Sequence, residues 1–315
     1  MSESQAGKRE SSSWSINASM RRSDDKALFG TQSNDLYGMR AMTPAQRAAD
    51  LIRRADALII GAGAGMGVDS GLPDFRGTEG FWRAYPALRE AGLEFDRIAN
   101  PDAFVVDPAQ AWGFYGHRLA LYRGTVPHAG FALLKAWGER LAKGCFVFTS
   151  NVDGQFQKAG FDPERIHECH GSIHHLQCLD GCDSSTWSAN GFRPDVDEAA
   201  CRLRNDPPAC PKCGRLARPN ILMFNDWGWS RIRERAQLAR RDRWLDTVSR
   251  PVVIELGAGR AIPSVRHFSR RMIEERGAQL VRINPRDHQV DDDADVSMAM
   301  GALEGLRAIE GVMVC

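Results

Sequence analysis

Two close cysteine pairs constrain this chain more than any other feature. Three residues separate Cys178 from Cys182, two separate Cys210 from Cys213, and 27 lie between the pairs. Two such pairs can supply four thiolates to one tetrahedral zinc ion, and Gly181 and Pro211 suit the tight turns that aim both sulfurs of a pair at one metal. Four thiolates leave no open coordination position, so the expected role of the ion is structural. Metal binding worth about 10 kcal/mol or more would fold a polar segment that lacks long apolar periodicity. Cys201 has no close partner and reads as an ordinary thiol. Eight cysteines in 315 residues are too few for a disulfide scaffold, and the N-terminus lacks the apolar stretch of a secretory signal. Paired cysteines then read as metal ligands, and the expected compartment is the cytoplasm.

The segment 166–225 that holds these cysteines reads as a small inserted module, because the chain around it follows another rule. Compact apolar runs at 57–60, 145–149, 252–256 and 279–284 alternate with helical patterns near 108–123, 128–142, 230–248 and 263–276. That alternation predicts an α/β fold: a Rossmann-like parallel sheet with helices on both faces. Thr43-Pro44-Ala45-Gln46 predicts the first helix start, with a threonine cap, a proline in the first turn and a glutamine three residues after the cap. Residues 1–40, rich in Ser, Arg, Asp and Lys, read as a tail without a core. The large domain is expected to comprise about 44–75, 126–165 and 226–310, and the small one a helical part at 76–125 and the zinc module at 166–225.

Charge excludes some functions. With 41 Lys+Arg against 40 Asp+Glu, the net charge of +1 provides no general field for nucleic acid. The arginines between Arg231 and Arg243 alternate with acids and read as a solvated helix face, and Asp291–Asp293 as an exposed loop. No run approaches about 18 apolar residues, so no membrane helix is expected.

In open parallel sheets ligands bind beyond the carboxyl ends of the strands. Those ends carry Gly61–Gly67, Thr149–Asp153, Gly257–Gly259 and Asn284. A glycine-rich turn such as Gly61-Ala62-Gly63-Ala64-Gly65-Met66-Gly67 lets backbone approach a phosphate and turn N–H groups toward it. Pro73 opposes the continuous helix of an ordinary dinucleotide turn; the loop that follows instead offers Asp74, Phe75 and Arg76. His170, followed by Gly171, is the histidine best placed for general-base work on a hydroxyl.

In this order the pieces resemble the sirtuin family, the NAD-dependent protein deacylases, over roughly residues 44–300. The resemblance rests on Gly63-Ala64-Gly65, Gly71-Leu72-Pro73-Asp74-Phe75-Arg76, Asn100-Pro101, Thr149-Ser150-Asn151-Val152-Asp153-Gly154, His170-Gly171-Ser172, the four cysteines and Ile283-Asn284. It implies an active site in a cleft between two domains, NAD as co-substrate, structural zinc, and an acylated-lysine protein or peptide as partner. It implies that His170 and Asn151 are catalytic. It implies NAD contacts from Gly63, Ala64, Gly65, Asp74, Phe75, Arg76, Ser150, Asn151, Asp153, Gly257 and Asn284, and zinc held by Cys178, Cys182, Cys210 and Cys213.

Four departures bear on function. Ser150 stands where the family has Gln, Gly67 where it has Ser, Gly257-Ala258-Gly259 where it has Gly-Thr-Ser, and Phe224-Asn225-Asp226 where it has Phe-Gly-Glu before the peptide groove. These changes keep two alternatives open beside deacylation: ADP-ribosyl transfer or NAD hydrolysis on the same fold, and a non-catalytic NAD- or ADP-ribose-sensing module. The acyl group and the oligomeric state are left open.

Overall fold

The computed structural model describes residues 42–73 and 77–314. The tail expected at 1–40, and Asp74, Phe75 and Arg76, lie outside the described residues.

Along the chain, α1 (Pro44–Arg54) leads into β1 (Ala57–Ala62). Five helices follow: α2 (Gly77–Ala84), α3 (Pro86–Glu90), α4 (Phe95–Ile98), α5 (Pro101–Val106) and α6 (Pro108–Gly124). Then come α7 (Ala129–Arg140), β2 (Cys145–Thr149), the one-turn α8 (Gln155–Lys158) and β3 (Ile166–Glu168). The cysteine-bearing stretch contains β4 (Gly171–Cys178), β5 (Thr186–Ser188), β6 (Val196–Asp197), β7 (Arg202–Leu203) and β8 (Ala217–Ile221). The chain ends with α9 (Ile232–Leu245), β9 (Pro251–Leu256), α10 (Ser264–Arg276), β10 (Gln279–Ile283), β11 (Val296–Met298) and α11 (Ala302–Met313).

The first helix starts as its sequence predicts. Thr43 Oγ1 accepts from the Gln46 amide at 3.2 Å, and the Gln46 side chain accepts from the Thr43 amide at 2.8 Å. The four predicted strands, β1, β2, β9 and β10, are joined by β3 and β11 in a six-stranded parallel sheet in the order β11-β10-β9-β1-β2-β3. Every residue of β1 and β9 is buried, which suits strands covered on both faces. Alternation divides β1 between two cores. Leu58, Ile60 and Ala62 pack with α1, α7 and α11, while Ala57 and Ile59 pack with α9 and α10. A third core joins the helical stretch, through Phe81, Trp112 and Phe114, to β4 and β8, through Ile173, Leu176 and Ala217.

Two expectations need correction. Ile166–Glu168 is the outer strand of the main sheet, paired in parallel with β2, and not the start of the inserted module. Three residues flanked by charges are too short to show a strand pattern. Nor is the arginine-rich helix simply a solvated face. Arg233 bonds the buried Glu168 at 2.8 Å, Arg240 pairs with Glu164 at 3.2 Å, and buried Arg241 donates to His167 Nδ1 at 3.2 Å. These contacts fasten α9 to β3. The same burial, with Arg241 beside it, pulls the pKa of His167 down to about 4. The sequence reading of 302–313 omitted α11, which covers one face of the sheet.

Candidate active site and metal centre

The carboxyl ends of β1 and β9 turn against each other. The Gly63 amide donates to the Leu256 carbonyl at 2.9 Å, Gly65 to Gly257 at 3.1 Å, and Gly257 to Ile283 at 3.1 Å. A β-carbon on Gly63 would lie 2.8 Å from the Ala258 Cα. One on Gly257, whose φ is +57°, would lie 2.3 Å from the Gly65 Cα. These glycines are therefore required first by the contact between two turns. The amides of Gly63 and Gly65 are spent there, contrary to the expectation that they would be free for phosphate.

Beyond these turns lies a cavity of about 430 Å³. Gly63, Ala64 and Gly67 line it from the first turn, Ser150 to Asp153 from the end of β2, His170 from the end of β3, and Gly257 to Gly259 from the end of β9. The predicted residues thus converge from four strand ends. Gly65 and Asn284 are not among the lining residues. The buried Asn284 amide donates to the Ala258 carbonyl at 3.0 Å, and its oxygen accepts from the Arg286 and Asp287 amides at 3.1 Å each, so it braces the far end of the β9 turn.

The loop after β2 is held at each residue. Thr149 Oγ1 donates to the Ala62 carbonyl at 2.9 Å and accepts from the Asn151 amide at 3.0 Å. Asn151 Nδ2 donates to the Gly63 carbonyl at 2.9 Å, tying it to the glycine turn. Asp153 Oδ1 accepts from the Gln155 amide at 2.9 Å. Burial raises the Asp153 carboxyl to about 6, against the lowering effect of that hydrogen bond. From the other side, β4 slips register against β8 between Ser172 and Leu176. The residues released there grip the loop: the Ile173 amide donates to the Val152 carbonyl at 3.0 Å, and His174 Nε2 donates to the Asp153 carbonyl at 2.9 Å. The sequence reading assigned His174 no role, and a bulge in an irregular strand left no pattern to find.

His170 is half-buried. Burial lowers its pKa, and hydrogen bonding to the Ser150 backbone partly offsets this, so the ring is neutral at pH 7. Its Nε2 lies 3.0 Å from Ser264 Oγ. The backbone requires Gly171 beside this ring: φ is +80°, and a β-carbon would sit 2.1 Å from the Asn220 carbonyl oxygen.

The cavity also reaches residues that the sequence reading did not single out. Tyr115, Arg118 and Tyr122 of α6 line it, and Arg118 donates to Tyr122 Oη from Nε at 3.0 Å and from Nη2 at 2.8 Å. Inside a helix buried on several sides, Arg118 gave no periodic signal. Tyr85 lies elsewhere, bonded to His117 at 3.0 Å beside a second cavity. At the mouth, Leu222 and Phe224 are partly exposed. Asn225 adopts φ +54°, the left-handed region that favours glycine. The Asp226 carboxylate is fully buried against Arg218, with bonds of 2.8 and 2.7 Å. The altered Phe224-Asn225-Asp226 stretch is thus a held loop.

The four cysteines meet in the inserted module. All four sulfurs lie within 4.8 Å of one another, with Cys178 to Cys213 at 3.7 Å and Cys182 to Cys210 at 3.6 Å. Sulfurs at Zn–S distances of about 2.3 Å in a tetrahedron are about 3.8 Å apart, so the set fits a structural zinc ion. A disulfide would need about 2.05 Å. Cys201 is buried and outside this group.

Known proteins resemble this chain in sequence and fold. The sequence pattern of the Sir2 family matches residues 63–241. An NAD-dependent protein deacylase 2 of Pyrobaculum aerophilum is 31% identical over 268 residues, covering 84% of this chain and 94% of the relative. An NAD-dependent protein deacylase 1 of Caldanaerobacter subterraneus subsp. tengcongensis is 28% identical, covering 78% and 89%. Among solved structures, a Sir2 homologue in complex with NAD superposes with a TM-score of 0.64 at 25% identity, covering 84% of this chain and 93% of that one. An ADP-ribose complex of a Sir2 homologue gives the same score and identity over 85% and 96%. With its glycine turn, its cavity at the strand ends and its cysteine cluster all inside the matched span or beside it, the chain belongs to the Sir2 family.

Proposed function

We propose that this protein is an NAD-dependent protein-lysine deacylase that transfers the acyl group to ADP-ribose. The observation that carries the reading is the convergence of Asn151, Asp153 and His170 on one cavity at the carboxyl ends of β1, β2, β3 and β9. NAD, consumed as co-substrate, supplies the ribose that receives the acyl group. Gly63, Ala64 and the Gly257–Gly259 turn form the wall where its phosphates fit. Asp74, Phe75 and Arg76 keep their proposed contacts to NAD on the resemblance, whereas Asn284 serves the site indirectly, by bracing the β9 turn. Ser150 and Asn151 hold the nicotinamide ribose, and the Asp153 carboxylate accepts from a carboxamide N–H₂. His170, neutral and turned into the cavity, takes the proton of a ribose hydroxyl.

The partner in this reading is an acylated lysine on a protein, entering between Phe224 and the cavity. The four cysteines hold one structural zinc. The free thiols favour a cytoplasmic setting. No helix among the described residues is long and apolar enough to cross a membrane. ADP-ribosyl transfer or hydrolysis is a second reading, favoured by one observation: the short Ser150 side chain lines the cavity where the family has a longer amide.

Mass spectrometry of NAD products separates these readings, with and without a panel of acyl-lysine peptides. Deacylation gives O-acyl-ADP-ribose only with peptide, and His170→Ala abolishes it. Nicotinamide release that is independent of peptide would replace the reading by the second one.

A further inference from the structure

His170 is held at Nε2, which lies 3.0 Å from Ser264 Oγ. A ring nitrogen that takes a ribose proton must present its lone pair, and in the free protein a neighbouring hydroxyl can donate to that lone pair. The backbone of His170 is also fixed, since its carbonyl accepts from the Leu222 amide at 2.9 Å.

Ser264 is the first residue of α10, and no side chain caps that helix. Its neighbours Ala261, Ile262 and Val265 line the cavity, whereas Ser264 is not among the lining residues. It therefore reaches the imidazole from the helix end and does not occupy the substrate space. No signal in the sequence linked positions 170 and 264, which are 94 residues apart.

We propose that Ser264 is a positioning residue for His170: its hydroxyl fixes the imidazole in the plane and tautomer that accept a ribose proton, and it couples the base to the helix end beside the bound ribose. The inference rests on the deacylase reading. In the step concerned, the ribose O–H bond breaks and an Nε2–H bond forms. The freed oxygen then bonds to the acyl carbon, whose C=N π pair moves to the lysine nitrogen; that nitrogen leaves as the free amine, and water completes the ester of O-acyl-ADP-ribose. Nε2 has one lone pair, so the Ser264 hydroxyl donates to it in the free protein, cedes it to the ribose hydroxyl in the step itself, and then accepts from the protonated ring. Alanine can neither donate nor accept. Release of nicotinamide precedes this step and needs no base at His170, so the two stages respond differently to a change at Ser264.

The test uses the full chain with Ser264→Ala and Ser264→Thr. It follows exchange of labelled nicotinamide, formation of O-acyl-ADP-ribose, and the pH dependence of kcat/KM. For Ser264→Ala, product formation is expected to fall about tenfold, a part of the roughly 10²–10⁴ that a general base contributes, while exchange stays within about twofold. The acid limb should move down, because the hydroxyl's charge-assisted bond to the protonated ring is the stronger of its two bonds and has been removed. Threonine should restore both. Asp153, Tyr115, Arg118 and Tyr122, the other titratable groups lining the cavity, are common to all variants, so the difference between profiles reports His170. Ser264→Cys, similar in size but a weaker donor, provides the same readout where alanine impairs folding. Equal losses in both stages, or an unchanged ratio with an unmoved limb, overturn the proposal. A wild type that makes no O-acyl-ADP-ribose with any peptide overturns the deacylase reading instead, and this inference with it.

Discussion

The cysteine module and the strand-end cavity solve the same problem, the placement of reactive groups, by opposite means. Four ligands from two short turns define the metal centre, and the ion itself supplies the cohesion. The cavity draws its walls from turns after four strands, and its cohesion comes from backbone contacts such as Gly65 to Gly257. One site is local and held by metal; the other is non-local and held by close packing. A local site should fail as a unit when its ion is taken. A non-local site should fail at whichever contact is broken.

The largest effect should come from the metal. Chelation under reducing conditions, or Cys210→Ala, removes binding energy on the order of 10 kcal/mol or more from a segment with little apolar core of its own. Circular dichroism and limited proteolysis should show loss of the 178–213 region. Activity should vanish too, because β4 carries both Cys178 and the residues that grip the Asp153 loop. If NAD binding and turnover survive complete zinc removal, the two regions are independent, and the grip of β4 on the loop contributes nothing.

The second prediction concerns the other side of the comparison. Gly257→Ala places a β-carbon 2.3 Å from the Gly65 Cα at a residue with positive φ. The left-handed conformation costs about 1–2 kcal/mol and overpacking about 1–3 kcal/mol more. Gly259→Ala, with nothing within 4 Å of the added carbon, is the control and should shift stability by less than about 0.5 kcal/mol. Denaturant melts and NAD titrations of the pair check this. Equal behaviour of the two variants would mean that the contact between the turns does not hold the cavity.

The same contrast explains what the sequence could disclose. The cysteine quartet was legible because its ligands lie within 36 residues and its spacing has few other uses. The central strands were legible because burial on both faces makes them compact apolar runs. The glycine turn was legible as a turn, but not as a contact with a second turn nearly 200 positions away, which decides where its amides point. Arg241 on His167, His174 on Asp153 and Ser264 on His170 join distant positions through single polar bonds. Such pairs have no period and no spacing rule. The resemblance supplied His170, Asn151 and Asp153 as candidates; the residues that hold them had to be found in three dimensions.

The smallest predicted effect sharpens the comparison inside the cavity itself. The Asp153 carboxyl is raised to about 6 by burial. A carboxyl raised in the folded state binds its proton more tightly than in the unfolded chain, so its favourable contribution is present in full below the unfolded value near 4. That contribution is lost as pH rises through about 6. Above that pH the ligand-free protein carries a buried charge costing at most roughly 3 kcal/mol, at about 1.4 kcal/mol per pKa unit. A bound group that donates to the carboxylate favours its ionised form and recovers part of this cost, so NAD should bind more tightly as pH rises from 5 to 7. Asp153→Asn should melt higher than wild type at pH 7 without ligand, show no such dependence, and bind NAD more weakly. Differential scanning calorimetry with NAD titrations across that range tests all three. If the variant melts lower at pH 7, Asp153 supports the fold as an ion, and the cavity does not trade stability for function at this residue.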